Sequence, residues 1–109
     1  MAGLMKVVAE KKPEFVIVQY GETDKVFHAH GPSSREAEEA CARADAWLAK
    51  IVPRLRAGGY AVIITADHGQ HESTTKDGKT RGSHGSASDL DCLVPLVWLN
   101  SLDQRTSAP

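Results

Sequence analysis

The apolar residues of this chain fall into three short runs and one longer stretch with helical spacing. The runs at residues 15–20, 60–66 and 92–99 are rich in Val, Ile, Leu and aromatic residues, a composition typical of buried strands. Pro95 has no N–H to donate, so we expect the third strand to be short, bulged or at a sheet edge.

Two other stretches predict helices. Residues 2–11 form a short helix that Pro13 stops. The longer helix begins at a Ser33 or Ser34 cap, carries acidic residues in its first turns and ends at the Gly pair 58–59, while Pro53 kinks or tightens its last turn. Its apolar positions recur at helical spacing and predict one buried face, made of Ala37, Ala40, Cys41, Ala44, Leu48, Ile51, Val52 and Leu55.

The order strand, helix, strand over residues 15–66 is the right-handed crossover unit of a parallel sheet. We therefore expect one α/β domain over residues 1–109, with a mostly parallel sheet and polar loops at 21–32 and 69–89. The polar tail at 103–109 is expected to fray.

Composition excludes several classes of protein. The 109 residues include 13 Lys and Arg against 14 Asp and Glu, a net charge of −1, with no basic stripe for a nucleic-acid polymer. Residues 1–10 lack a signal-peptide pattern and the apolar runs are strand-sized, so we expect a soluble, cytoplasmic protein without membrane contact. Cys41 and Cys92 have neither disulfide-framework nor zinc-finger spacing and are predicted to be reduced core thiols.

Metal-binding residue types follow the predicted strands. Asp24 and His28 come after the first strand, Asp67 and His68 directly after the second, and His84 lies before the third. Ligands collect at the carboxyl ends of parallel strands, and open zinc sites use three protein ligands. We expect Asp24, His28 and His84 to hold one metal ion, and Asp67 and His68 to belong to a second. A buried His that bonds a carbonyl, or an Asp that caps a helix, is the ordinary alternative for each cluster alone, but three clusters together favour metal.

Three residues near these clusters are expected to contact substrate. His30 and His71 lie in the predicted loops, and Arg81 stands where it can meet an anionic group, although solvated loop side chains are the simpler alternative. A serine nucleophile at Ser83 or Ser86 is disfavoured, because neither residue follows a strand and opens a helix.

Four segments occur in a specific order: Asp-Lys-Val-Phe-His-Ala-His-Gly-Pro at 24–32, Arg-Ala-Asp at 43–45, Thr-Ala-Asp-His-Gly at 65–69 and Gly-Ser-His-Gly at 82–85. Together they resemble the alkaline phosphatase superfamily, and within it the type I phosphodiesterases and nucleotide pyrophosphatases, over about residues 13–99. The resemblance implies a partial three-layer αβα fold. It also implies two zinc ions in a complete enzyme, with manganese or iron as alternatives, held by the two ligand sets already named.

Two departures from the family pattern shape the expected function. The strand that ends in a metal-ligating Asp, followed by a Thr or Ser nucleophile, has no counterpart in the sequence, and Phe27 stands where the family usually has Gly. We therefore expect part of a metal-dependent phosphoric ester hydrolase whose substrate is a small phosphoester or nucleotide. Without a nucleophile in this chain, it is expected to be weakly active or inactive alone.

Two other functions stay open. The segment at 65–69 is equally similar to phosphomutases of the cofactor-independent phosphoglycerate mutase and phosphopentomutase kind, although Gln70 replaces their usual Asn and the 31–32 and 82–85 turns favour the phosphodiesterase branch. The other is a non-catalytic module that forms a homodimer or binds a missing N-terminal half. A sheet lacking that half would expose an edge and an apolar face.

Overall fold

The computed structural model describes residues 2–102, and the predicted frayed tail lies outside the described residues. The elements within this range are α1 (Ala2–Lys11), α2 (Glu22–His30), α3 (Arg35–Ala57), β1 (Val62–Thr65), β2 (His71–Thr74), β3 (Thr80–Ser83), α4 (Asp89–Cys92) and β4 (Leu96–Leu99).

Helix α3 begins and ends at the predicted caps. The Ser34 hydroxyl accepts a hydrogen bond from the Ala37 N–H at 3.1 Å, which satisfies one of the free donors of the first turn. At the other end the Gly58 N–H donates to the Arg54 carbonyl at 3.0 Å. Pro53 lies inside the helix without ending it.

The buried side of α3 is narrower than its apolar pattern predicts. Ala37, Ala40 and Ile51 are buried, and they are the buried hydrophobic residues of the described chain. Both cysteines are free and exposed, so the prediction of core thiols is wrong for Cys41 and Cys92. Cys41 was placed on the inner face by its spacing alone, but the helix has too few neighbours to cover that position.

The two sheets are antiparallel, which corrects the expected mostly parallel arrangement. Strand β1 pairs with β4, with Val62 opposite Leu99, and β2 pairs with β3 as a hairpin. The three-layer architecture is therefore not what residues 2–102 form. They make a small mixed α/β structure with two-stranded sheets.

The first predicted strand, residues 15–20, is also a correction. This segment belongs to neither sheet, and Phe15 and Ile17 are 79% and 81% exposed. An extended segment becomes a strand only when a neighbour accepts and donates its backbone hydrogen bonds, and no described segment does so here. Just before this segment, the Pro13 carbonyl accepts a hydrogen bond from the Tyr60 hydroxyl at 2.5 Å.

The two polar segments contain regular structure that their composition concealed. Residues 21–32, predicted as a loop, contain α2, whose first turn holds Glu22 and Asp24 and whose end is made by Gly31 at φ 91°. Residues 69–89 contain the β2–β3 hairpin. The predicted strand at 92–99 shortens to β4, because the short helix α4 takes Cys92 and β4 begins only after Pro95.

The β1–β4 sheet is only partly covered. Helix α3 contacts β1, while Ile63, Leu96 and Trp98 are exposed on the strands. The described chain is correspondingly long, with extents of 61 × 27 × 21 Å and a radius of gyration of 17.3 Å, against about 13 Å for a compact domain of this length. None of the helices in residues 2–102 is long and apolar enough to cross a membrane.

Candidate metal centre

Helix α2 presents the first two candidate ligands on one face. Asp24 and His28 are four residues apart, so they lie one above the other on the helix surface. The distance from Asp24 Oδ1 to His28 Nε2 is 3.4 Å, and both side chains are a little under half exposed. A carboxylate and an imidazole therefore meet at an open surface of the helix.

Two more imidazoles reach the same carboxylate from the sheets. His68 follows β1 and His84 follows β3, and their Nε2 atoms lie 3.7 and 3.9 Å from Asp24 Oδ1. The two rings are stacked, with centroids 3.7 Å apart. The ligand atoms of Asp24, His28 and His84 all lie within 4.8 Å of one another, so these three residues could hold one metal ion. The structure thus brings together the predicted first set and, with it, His68 from the predicted second set.

The remaining ring nitrogens fix which atoms face the centre. His28 Nδ1 lies 3.0 Å from the Gly82 carbonyl oxygen, and His68 Nδ1 lies 2.7 Å from that of Gly69. A carbonyl can only accept, so each Nδ1 carries a proton and donates, and each Nε2 faces the carboxylate, with a free lone pair in the neutral imidazole. A metal-ligating imidazole ordinarily has this arrangement. The donor set therefore fits a divalent metal ion.

Groups around His68 raise its pKa above the ordinary value for histidine. The hydrogen bond to the Gly69 carbonyl raises the pKa of His68, and the carboxylates of Asp67 and Asp24 act in the same direction. Asp67 Oδ1 is 3.6 Å from His68 Nε2, but the Asp67 side chain is 76% exposed. Asp67 therefore lies at the solvent-exposed edge of the cluster.

Gln70 also contacts this cluster, although in the sequence it bore only on the comparison between families. Its Nε2 donates to Asp24 Oδ1 at 2.7 Å and so orients the carboxylate that the three imidazoles share. Gln70 Oε1 is buried and lacks a hydrogen-bond partner among the described residues. The two residues are far apart in the sequence, and no local pattern indicates their contact.

The three predicted substrate contacts have different surroundings. His30 is exposed at the end of α2. Arg81 donates to the Ala29 carbonyl, so its guanidinium is occupied at the end of the same helix. The Nδ1 of His71 lies 2.8 Å from a carboxylate oxygen of Asp91, a residue that sequence reasoning did not select. An acid among apolar residues at 90–94 was the signal that could have found Asp91.

The serine predicted only as a weak alternative is engaged elsewhere. The Ser86 hydroxyl donates to Asp91 Oδ2 at 2.5 Å. Because this hydroxyl meets the acid directly, no imidazole stands between them to take the proton of a nucleophile. The geometry does not support a serine nucleophile at Ser86.

Comparison with known proteins adds a family and a set of relatives. Residues 2–85 match the family described as type I phosphodiesterase / nucleotide pyrophosphatase. Similar proteins include the 2,3-bisphosphoglycerate-independent phosphoglycerate mutase of Dinoroseobacter shibae, 33% identical over 88% of this chain and 18% of the relative. That of Cereibacter sphaeroides is 38% identical over 77% of this chain and 16% of the relative. The chain therefore spans less than a fifth of these relatives. No solved structure matches.

Proposed function

Because this chain belongs to the type I phosphodiesterase and nucleotide pyrophosphatase family of the alkaline phosphatase superfamily, we propose that it binds a divalent metal ion for phosphoester chemistry. Asp24, His28 and His84 hold the ion, and the observation that carries this is the mutual approach of their ligand atoms to within 4.8 Å. Mixed carboxylate and imidazole ligands suit zinc, with manganese or iron as alternatives.

His68 and Asp67 are proposed to serve a second ion or to complete the first. His68 Nε2 already lies 3.7 Å from Asp24 Oδ1, whereas the exposed Asp67 carboxylate has room to move toward an added ion. A metal bound here polarises a phosphoryl oxygen and stabilises the charge that develops during displacement at phosphorus. The protein's own contribution is to direct the Nε2 atoms of His28 and His68 toward the centre and to hold Asp24 through Gln70.

The proposed reaction class is hydrolysis of a small phosphoester or nucleotide. We do not assign Ser86 as the nucleophile, since its hydroxyl donates to Asp91. His30 and His71 remain proposed substrate contacts, because neither is committed through all its ring nitrogens to another protein group in the described structure. Arg81 is a weaker candidate, because it already binds the end of α2.

Elemental analysis after zinc loading tests the metal site. We expect about one ion per chain in the wild-type protein, as for a site with three protein ligands, and none in the double variant Asp24→Ala/His84→Ala. The matched control is Asp45→Ala/His30→Ala, which removes the same residue types outside the centre and keeps the ion. Equal zinc content in all three proteins would contradict the proposal.

Phosphoryl transfer of the mutase kind is the second candidate, and the similar curated proteins favour it. Calorimetric titration of the zinc-loaded or manganese-loaded chain with phosphoglycerate and with a nucleoside monophosphate separates the two. Preferential binding of phosphoglycerate supports the mutase class. Preferential binding of the nucleotide supports the phosphodiesterase class.

Self-association is a third candidate, compatible with either of the others. The exposed Ile63, Leu96 and Trp98 form an apolar face on the β1–β4 sheet, and faces of this kind mark interaction sites. We propose that a second copy of the chain covers it. Sedimentation of the wild-type protein and of Trp98→Lys tests this: a dimer that the substitution dissociates is expected, and a wild-type monomer at all concentrations would contradict it.

A further inference from the structure

A buried carboxylate lies beside the metal centre without belonging to it. The Asp91 side chain is 2% exposed, and Asp91 is the buried charged residue of the described chain. It accepts hydrogen bonds from the Ser86 N–H at 2.8 Å, from the Ser86 hydroxyl at 2.5 Å and from His71 Nδ1 at 2.8 Å. These bonds, the one from the Ser86 hydroxyl foremost, lower the pKa of Asp91 to about 2.

The partners of this carboxylate come from the two segments that carry candidate ligands. Ser86 lies two residues after His84, and His71 lies three residues after His68. Two parts of the chain that each supply an imidazole are therefore tied to the same buried group. An ionised carboxylate with hydrogen bonds from both segments resists their separation more strongly than neutral contacts would.

The backbone of the same residue makes a second tie. The Gly69 N–H donates to the Asp91 carbonyl at 2.8 Å. A Cβ at Gly69 would lie 1.9 Å from the Leu90 carbonyl oxygen, so the close approach of these two segments requires glycine. The Gly69 carbonyl in turn accepts from His68 Nδ1 at 2.7 Å. The backbone of Gly69 therefore connects the main chain of Asp91 to the His68 imidazole.

We infer that Asp91 is a positioning residue for the centre: it sets the distance between the His68 and His84 imidazoles by binding the backbone and side chains that follow each of them. Only the expected effect on metal affinity rests on the proposed metal function. The geometric part concerns the stacked rings of His68 and His84, whose centroids are 3.7 Å apart.

The test compares Asp91→Asn with Asp89→Asn. Both variants remove one carboxylate from α4, but Asp89 is exposed. An amide at position 91 cannot accept from all of the donors, and its NH₂ group faces other donors. We expect Asp91→Asn to weaken zinc affinity about 10- to 100-fold, the range for groups that orient a ligand, in a competition titration with a chelating dye. Asp89→Asn should stay within about twofold, because surface substitutions have small effects.

A readout without metal separates this inference from the proposed function. In the apo protein we expect nuclear Overhauser contacts between the His68 and His84 rings in the wild type and in Asp89→Asn, and their loss in Asp91→Asn. If the wild type binds no zinc, the metal function fails, yet loss of the ring contacts in Asp91→Asn still supports the positioning role. Ring contacts and zinc affinity that both persist in folded Asp91→Asn would overturn it.

Ser86→Ala provides a milder variant in case Asp91→Asn does not fold. It removes one hydroxyl donor from an exposed residue and leaves the carboxylate in place. We expect weaker ring contacts and a several-fold loss of zinc affinity, rescued by Ser86→Thr, which restores the hydroxyl. Ser86→Ala with wild-type ring contacts and affinity would overturn the inference.

Discussion

Replacing Gly82 with alanine should disturb the candidate metal centre, because it forces β3 away from α2, the helix that carries Asp24 and His28. A Cβ at this position of β3 would lie 2.3 Å from the Phe27 carbonyl oxygen and 2.5 Å from Gln70 Oε1. Cβ atoms essentially never come within 3.0 Å of such neighbours. Strand β3 and helix α2 must therefore separate by at least about 0.7 Å, the kind of backbone shift that overpacking produces.

The size of the effect follows from the hydrogen bonds at that contact. His28 Nδ1 lies 3.0 Å from the Gly82 carbonyl oxygen, and the same separation takes this distance beyond the ordinary range of about 2.7–3.2 Å. We expect a loss of about 1–3 kcal/mol in the free energy of unfolding. Zinc affinity should fall about 10- to 100-fold, because His28 loses the carbonyl that orients it.

Urea unfolding of the apo protein and a zinc competition titration measure the two quantities separately. Gly3→Ala is the matched control, since its Cβ would meet nothing within 4 Å and alanine in a helix is favoured over glycine by up to about 1 kcal/mol. Suppose that the free energy of unfolding of Gly82→Ala differs from the wild-type value by less than about 0.5 kcal/mol, as for a typical surface substitution, and that its zinc affinity is unchanged. The packing of β3 on α2 would then not position His28.

Three other outcomes are expected. Ile51→Ala should lower the free energy of unfolding in urea by about 2–5 kcal/mol. Leu48→Ala should lower it less, because Ile51 is buried and Leu48 is only partly buried. Equal losses for both would show that α3 is rotated. The Asp91 carboxylate should stabilise the fold fully above its ordinary pKa of 3.8 and lose that effect as the pH falls toward about 2. Urea midpoints of wild type and Asp91→Asn should therefore converge over this range, and a constant difference would contradict the prediction. Zinc affinity should decrease as the pH falls through the histidine range, because protons compete with the metal for imidazoles such as His68, whose pKa is raised. A zinc affinity that does not change between about pH 5 and 8 would count against histidine ligands.

Local signals in the sequence predicted where α3 begins and ends, but they did not predict that α2 is a helix. The Ser34 cap and the Gly58 end are chemical signals carried by single residues, and both appear where predicted. The loop predicted over residues 21–32 is a helix, although the four-residue interval between Asp24 and His28 was already compatible with one. Polar composition alone does not distinguish a loop from a surface helix such as α2, which has no buried residue.

Contacts between distant segments were the part that the sequence could not supply. The pairing of β1 with β4 and the bond from Gln70 to Asp24 depend on where separate segments meet. Asp24, His28 and His84 were grouped by motif, and the structure brings them together. Their role in metal binding stays a prediction. The strand predicted at residues 15–20 has the right composition, but a strand also needs a neighbour, which composition does not reveal.

The small core described above would link folding to metal loading if the proposed site binds an ion. With Ala37, Ala40 and Ile51 as its buried hydrophobic residues, the described chain obtains little stability from burial. An ion held by Asp24, His28 and His84 would join α2 to the end of the hairpin and close a loop that includes all of α3. Such an ion acts as a cross-link, and its binding free energy adds to the free energy of unfolding. The amount of folded protein in a cell would then follow the local supply of free metal, so that a metal-starved cell loses the protein itself as well as its activity.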